Sequence, residues 1–98
     1  MDRDICQKLA QDFGSEAAKV QELLMGLDSQ LEGHASNRLK RAIIYLSNGE
    51  IYKLYHLLEL ARLDYRDVLW QAEYDDPDDA TPSRDFNKTF YELTIIKP

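Results

Sequence analysis

Residues 36–74 read SNRLKRAIIYLSNGEIYKLYHLLELARLDYRDVLWQAEY, and the spacing inside this stretch decides the fold. Ser36 stands where a side-chain oxygen can accept a first-turn amide, and Leu39, Ala42, Ile43 and Leu46 follow at helical spacing. Asn48-Gly49 then supplies two residues that tolerate the left-handed backbone on which helices end, so the spacing predicts a helix up to Ser47 and a tight connection. Glu50 complements the N-terminal dipole of the next helix. Its inward stripe is Ile51, Leu54, Tyr55, Leu58 and Ala61, widened by Leu57 and Leu60. Asp64 is a second candidate cap, for a helix over Tyr65–Tyr74 with Asp67 at the third position and Tyr65, Val68, Leu69 and Ala72 facing inward. Short connections between such helices make antiparallel neighbours the natural packing.

Towards the N-terminus, Ile5, Leu9, Phe13, Ala17, Val20, Leu24, Leu27 and Leu31 recur every three or four residues. Gly14-Ser15 interrupts this stripe. Either one long helix runs through, or Ser15 caps a second helix over Glu16–Glu32; Gly26 within it is a candidate for a close helix crossing, and Gly33-His34 a stop. Towards the C-terminus, Asp75-Asp76-Pro77-Asp78-Asp79 ends the helical region by proline and mutual repulsion. The tail is ambiguous: Phe86, Phe90 and Leu93 suit a helical face, whereas Thr89–Ile96 has strand composition without a partner strand. The expected molecule is therefore all-α, a small bundle of three to five helices with a C-terminal arm. Residues 1–74 form the domain, 75–85 an acidic linker, and 86–98 an arm, partly extended, packed on the domain or on a second subunit.

Ninety-eight residues hold one small core, and 31% charged with 44% hydrophobic residues is ordinary for a globular chain. The one cysteine, Cys6, forms no internal disulfide. The acidic start (Asp2, Asp4) and the lack of a long apolar run point to a cytoplasmic protein without a membrane span. A net charge of −6 argues against nucleic acid or anionic lipid as a partner. Residues 35–63 do carry five bases against two acids. Their one cluster, Arg38, Lys40 and Arg41, is too small for phosphate recognition and reads as a solvated or ion-pairing face.

The stretch from Leu46-Ser47-Asn48-Gly49-Glu50 through Leu60-Ala61-Arg62-Leu63-Asp64-Tyr65-Arg66-Asp67-Val68-Leu69 to Ala72-Glu73-Tyr74 resembles small bacterial all-helical proteins of no assigned function. The resemblance implies the same fold class and brings no activity or site. It excludes the acidic run and the tail.

Motifs that carry chemistry are sparse. His56 and Glu59 lie one turn apart, with Tyr52 one turn earlier, an arrangement that could orient an imidazole; a surface pair is the commoner outcome. Asp75, Asp76, Asp78 and Asp79 suggest a cation loop, but a calcium-loop register begun at Asp75 puts Ala80 where glycine is needed and Phe86 where the bidentate glutamate belongs. No cofactor or metal is expected. The aromatics are more informative: Arg66, Trp70 and Tyr74 form a ladder of the residue types enriched at protein interfaces. The expected function is a non-enzymatic interaction or assembly module, self-associating as a homo-oligomer. Its surface would combine that ladder with Val20, Leu24, Leu27 and Leu31 of the first stripe, and Phe90 and Tyr91 of the arm. Two alternatives stand beside it: an acidic regulator of a basic partner, and an enzyme using His56 with Glu59, or Cys6.

Overall fold

In a computed structural model of the chain, residues 1–31, 33, 35–76, 78 and 80–92 are described. Among them four helices follow one another, α1 (Arg3–Phe13), α2 (Ala17–Gln30), α3 (Asn37–Ser47) and α4 (Ile51–Glu73), with a 3-10 turn at Gly14–Glu16 between the first two. No strand occurs among the described residues, and none of their helices is long and apolar enough to cross a membrane. The chain is an all-α bundle.

The boundaries of α3 follow their local chemistry. The Ser36 hydroxyl accepts the Leu39 amide at 3.2 Å, and Asn48 closes the helix in the left-handed region with φ 50°. Gly49 follows with φ 79°, and a Cβ there would lie 3.1 Å from the carbonyl oxygen of Asp12 in α1. Glycine is needed at this position for its backbone angle and for room.

Within α4, Asp64 leaves the helical region (φ −157°, ψ 95°), so two helical segments meet there at a kink. The Asp64 carboxylate accepts the Arg66 amide at 3.1 Å, which is how a cap serves the segment that follows.

Other expectations are corrected. Ser15 caps nothing: it lies in the 3-10 turn, α1 ends on Gly14 at φ 54°, and α2 begins at Ala17 without a side-chain capping bond. Gly26 is exposed and nothing approaches its Cβ position within 4 Å, so it marks no helix crossing. In the tail, residues 86–88 form a turn and 90–92 are helical. Thr89 Oγ1 accepts the Glu92 amide while the Glu92 carboxylate accepts the Thr89 amide, a reciprocal pair that opens a helix rather than a strand. His34 of the expected stop, Pro77 and Asp79 of the acidic run, and Leu93, Ile95 and Ile96 of the arm lie outside the described residues.

The core joins all four helices. Ile5, Leu9, Val20, Leu24, Leu27, Leu39, Ile43, Ile44, Leu54, Leu58, Val68 and Ala72 are fully or nearly fully buried. Each such Leu, Ile or Val contributes about 1.5–3 kcal/mol. Phe86 completes the core from outside the helices: it is 0% exposed, its ring centroid 5.3 Å from that of Tyr45.

Candidate protein-interaction surface

The basic cluster of α3 faces inward. Arg38 donates two hydrogen bonds to Glu73 of α4 at 2.7 and 2.5 Å, and Lys40 reaches Asp28 of α2 at 3.1 Å. Arg41 is buried. It grips Asp4 of α1 through Nε and Nη2, both at 3.0 Å, reaches Asp2 at 2.7 Å, and donates from Nη1 to the Phe86 carbonyl at 3.1 Å. Asp4 in turn accepts the Phe90 amide at 3.0 Å. Burial pushes the Asp4 carboxyl up, but the Arg41 guanidinium and the Phe90 amide outweigh it and hold the group below its ordinary value. Asp4 and Glu73 pull Arg41 and Arg38 the other way, further towards the charged form, against the opposing effect of burial. These cations fasten helices together and leave no basic face.

The acidic run is partly neutralised and its ends are drawn together. The Glu73 carbonyl accepts the amides of Ser83 at 2.6 Å and Arg84 at 3.2 Å, and the Ser83 hydroxyl accepts the Asp75 amide. Arg84 extends over the Tyr45 ring, donating to the Ala72 carbonyl and to Asp75. Residues 73 and 83 are thus neighbours, so the linker is pinned at its base. Among the described residues no group of three or more His, Cys, Asp or Glu is placed to hold a metal ion.

An open recess of about 420 Å³ lies between α1 and the end of α3, lined by Lys8, Asp12, Tyr45, Leu46 and Asn48. Lys8 and Asp12 neutralise each other there at 3.1 Å. Cys6 is a half-buried free thiol.

The expected interaction residues divide. Val20, Leu24 and Leu27 are 0% exposed and belong to this chain's own core, and Leu31 packs half-buried against it. That stripe is not available to a second copy, because the other helices already cover it. Phe90 is half-buried, its ring 6.0 Å from Lys8 Nζ, while Tyr91 is exposed. Trp70 is half-exposed, Tyr74 half-buried, and Arg66 is exposed and turns back to Asp64.

Two further residues dominate the outer surface: Tyr52 at 83% exposure and Leu63 at 84%. They stand eleven residues apart, three helical turns, on the first segment of α4, and so share a face. His56 and Glu59 are exposed between them. Glu59 accepts a hydrogen bond from Arg62, which also donates to Gln30 of α2 at 2.8 Å. The sequence signal for this face is a second three-four spacing, 52, 56, 59 and 63, running opposite the core stripe and hidden by its two polar members. Compared with known proteins, no family model, curated protein or solved structure matches the chain.

Proposed function

We propose that the protein is a non-enzymatic interaction module that assembles with itself, using the outer surface of α4. The carrying observation is the exposure of Tyr52 and Leu63 on one face, at 83% and 84% the most exposed of the described large hydrophobic side chains, above Met25 at 53% and Tyr91 at 55%. Half-exposed Trp70 extends the apolar character of α4 beyond the kink. Tyr52 and Leu63 flank the exposed His56 and Glu59, so the face mixes apolar and polar groups as non-obligate contact surfaces do. The ionised groups that the fold brings together are helix-to-helix fasteners, which supports a binding role over a catalytic one.

Light scattering across a concentration series tests this. The expected result is a mass rising from the 11.4 kDa of one chain towards twice that value as concentration increases from low micromolar to millimolar. A mass fixed at one chain throughout overturns self-assembly.

A further inference from the structure

We infer that the first segment of α4 is one half of a two-fold, antiparallel helix pair between copies of this chain, with its axis passing between Leu57 and Leu58. The inference rests on the self-assembly reading and gives it an orientation and a register.

The outward residues Tyr52, His56, Glu59 and Leu63 are separated by four, three and four positions, the alternation of a coiled-coil seam. In an antiparallel pair the two kinds of seam position oppose each other. With the axis between 57 and 58, Tyr52 of one copy stands opposite Leu63 of the other, and His56 opposite Glu59, each pairing occurring twice by symmetry. The ends of the seam are then apolar against apolar, and its centre is imidazole against carboxylate. Glu59 already accepts from Arg62 and keeps further lone pairs for the imidazole of the other copy. On the flanks, Lys53 falls beside Leu60 of the second copy, and Arg62 beside Tyr55, whose ring already carries Lys19 Nζ at 5.6 Å from its centroid, so the register rests on the seam residues and not on this flank. Lys53 is also neutralised within its own chain by Glu50 at 2.8 Å. A parallel pairing would set Glu59 against Glu59 and His56 against His56, which like-charge repulsion disfavours.

The seam is short, four residues in each copy, below the roughly 800 Å² per partner of a stable complex, so the pair is a weak and reversible one. Polar residues at seam positions fix register at a cost in affinity. His56 and Glu59 therefore act as orientation markers.

Cysteine trapping reads the register directly. In full-length chain carrying Cys6→Ser, a mixture of Tyr52→Cys and Leu63→Cys copies is expected to form a crosslinked dimer under mild oxidation. Leu63→Cys alone is not, since its two sites lie about 16 Å apart along the axis and a disulfide spans at most about 7 Å between Cα atoms. In parallel, His56→Glu is expected to weaken association by about tenfold or more, and His56→Glu with Glu59→His to restore it. The seam substitutions are on exposed positions while Cys6 is half-buried, and circular dichroism checks that each variant folds. Crosslinking of Leu63→Cys alone, a dimer by mass whose mixture fails to crosslink, or no restoration in the double variant overturns the register and leaves self-assembly standing. A monomer mass at every concentration removes both.

Discussion

Helix α3 and the first segment of α4 pack against each other, yet they use their residues in opposite ways. In α3 the apolar residues Leu39, Ala42, Ile43 and Ile44 are buried, and so are Lys40, Arg41 and Ser47. Elements lie on several sides of it: α1 and α2 supply carboxylates to Arg41 and Lys40, α4 supplies Glu73 to Arg38, and the segment containing Phe86 supplies a carbonyl to Arg41. In α4, Leu54, Leu57, Leu58 and Ala61 are buried, while Tyr52 and Leu63 stand in solvent. Residue class alone would have assigned the roles the other way, with the cationic helix outside and the leucine-rich one inside. What decides is how many sides of a helix the rest of the chain covers. A charge on a surrounded helix becomes a fastener, whereas an apolar side chain on a peripheral one becomes a contact surface.

Removing the fastener of the surrounded helix should have the largest effect. Arg41→Ala leaves Asp4 buried without its partner and is expected to destabilise by about 3–5 kcal/mol, measured by urea unfolding. The pair Arg41→Met with Asp4→Leu should recover most of that loss, and a double variant as unstable as the single one would show that the ion pair is not the cause. Phe86→Ala empties a fully enclosed site and should cost about 3–5 kcal/mol as well, with loss of the Tyr45 contact visible in the near-ultraviolet dichroism.

A smaller, pH-dependent effect follows from Asp4. Its carboxyl titrates lower in the folded chain than in the unfolded one, so its contribution is fully present above about pH 4, the ordinary Asp value. The contribution is lost as the pH falls through the lower folded value. The melting temperature of the native chain should therefore fall more steeply as the pH drops below about 4 than that of Asp4→Asn. Parallel curves would remove Asp4 from the acid response.

The smallest effect on folding belongs to the peripheral helix. Leu63→Asp is expected to change monomer stability by less than about 0.5 kcal/mol while abolishing the concentration-dependent rise in mass. A large loss of stability would mean that Leu63 is buried in the folded chain in solution.

The helices were legible in the sequence where their signals were local. Ser36, Asn48-Gly49 and Asp64 mark boundaries with side chains or backbone angles that act within three residues, and the structure uses each of them. Ser15 carried the same kind of signal and failed, because Gly14 turned the chain into a 3-10 turn before a cap could form. Thr89 and Glu92 were readable as a capping pair, but the β-branched and aromatic neighbours around them favoured a strand reading. Partners distant along the chain were not legible. Periodicity shows that Val20, Leu24 and Leu27 bury a face; it does not say whether that face meets this chain or another. Arg41 and Asp4 are 37 residues apart, and nothing near either one announces the other. The candidate surface was found only in part: Trp70 and Arg66 were singled out from composition, whereas Tyr52 and Leu63 emerge once the opposite side of α4 is known to be covered.

The hydrogen bond from the Phe90 amide to Asp4 spans 86 positions along the chain. Helices α3 and α4, joined through Asn48-Gly49, can find each other by closing a short loop, but the Asp4 clasp must gather nearly the whole polypeptide, and the entropy of that closure is recovered only when the intervening helices are already docked. Loop-closure entropy therefore predicts folding from the α3–α4 hairpin outward, with the clasp fastening last. The same order governs breathing of the native protein. The Phe90 amide should exchange with deuterium ahead of the amides of Ile43 and Leu58, since partial opening releases the terminal clasp without separating the central pair.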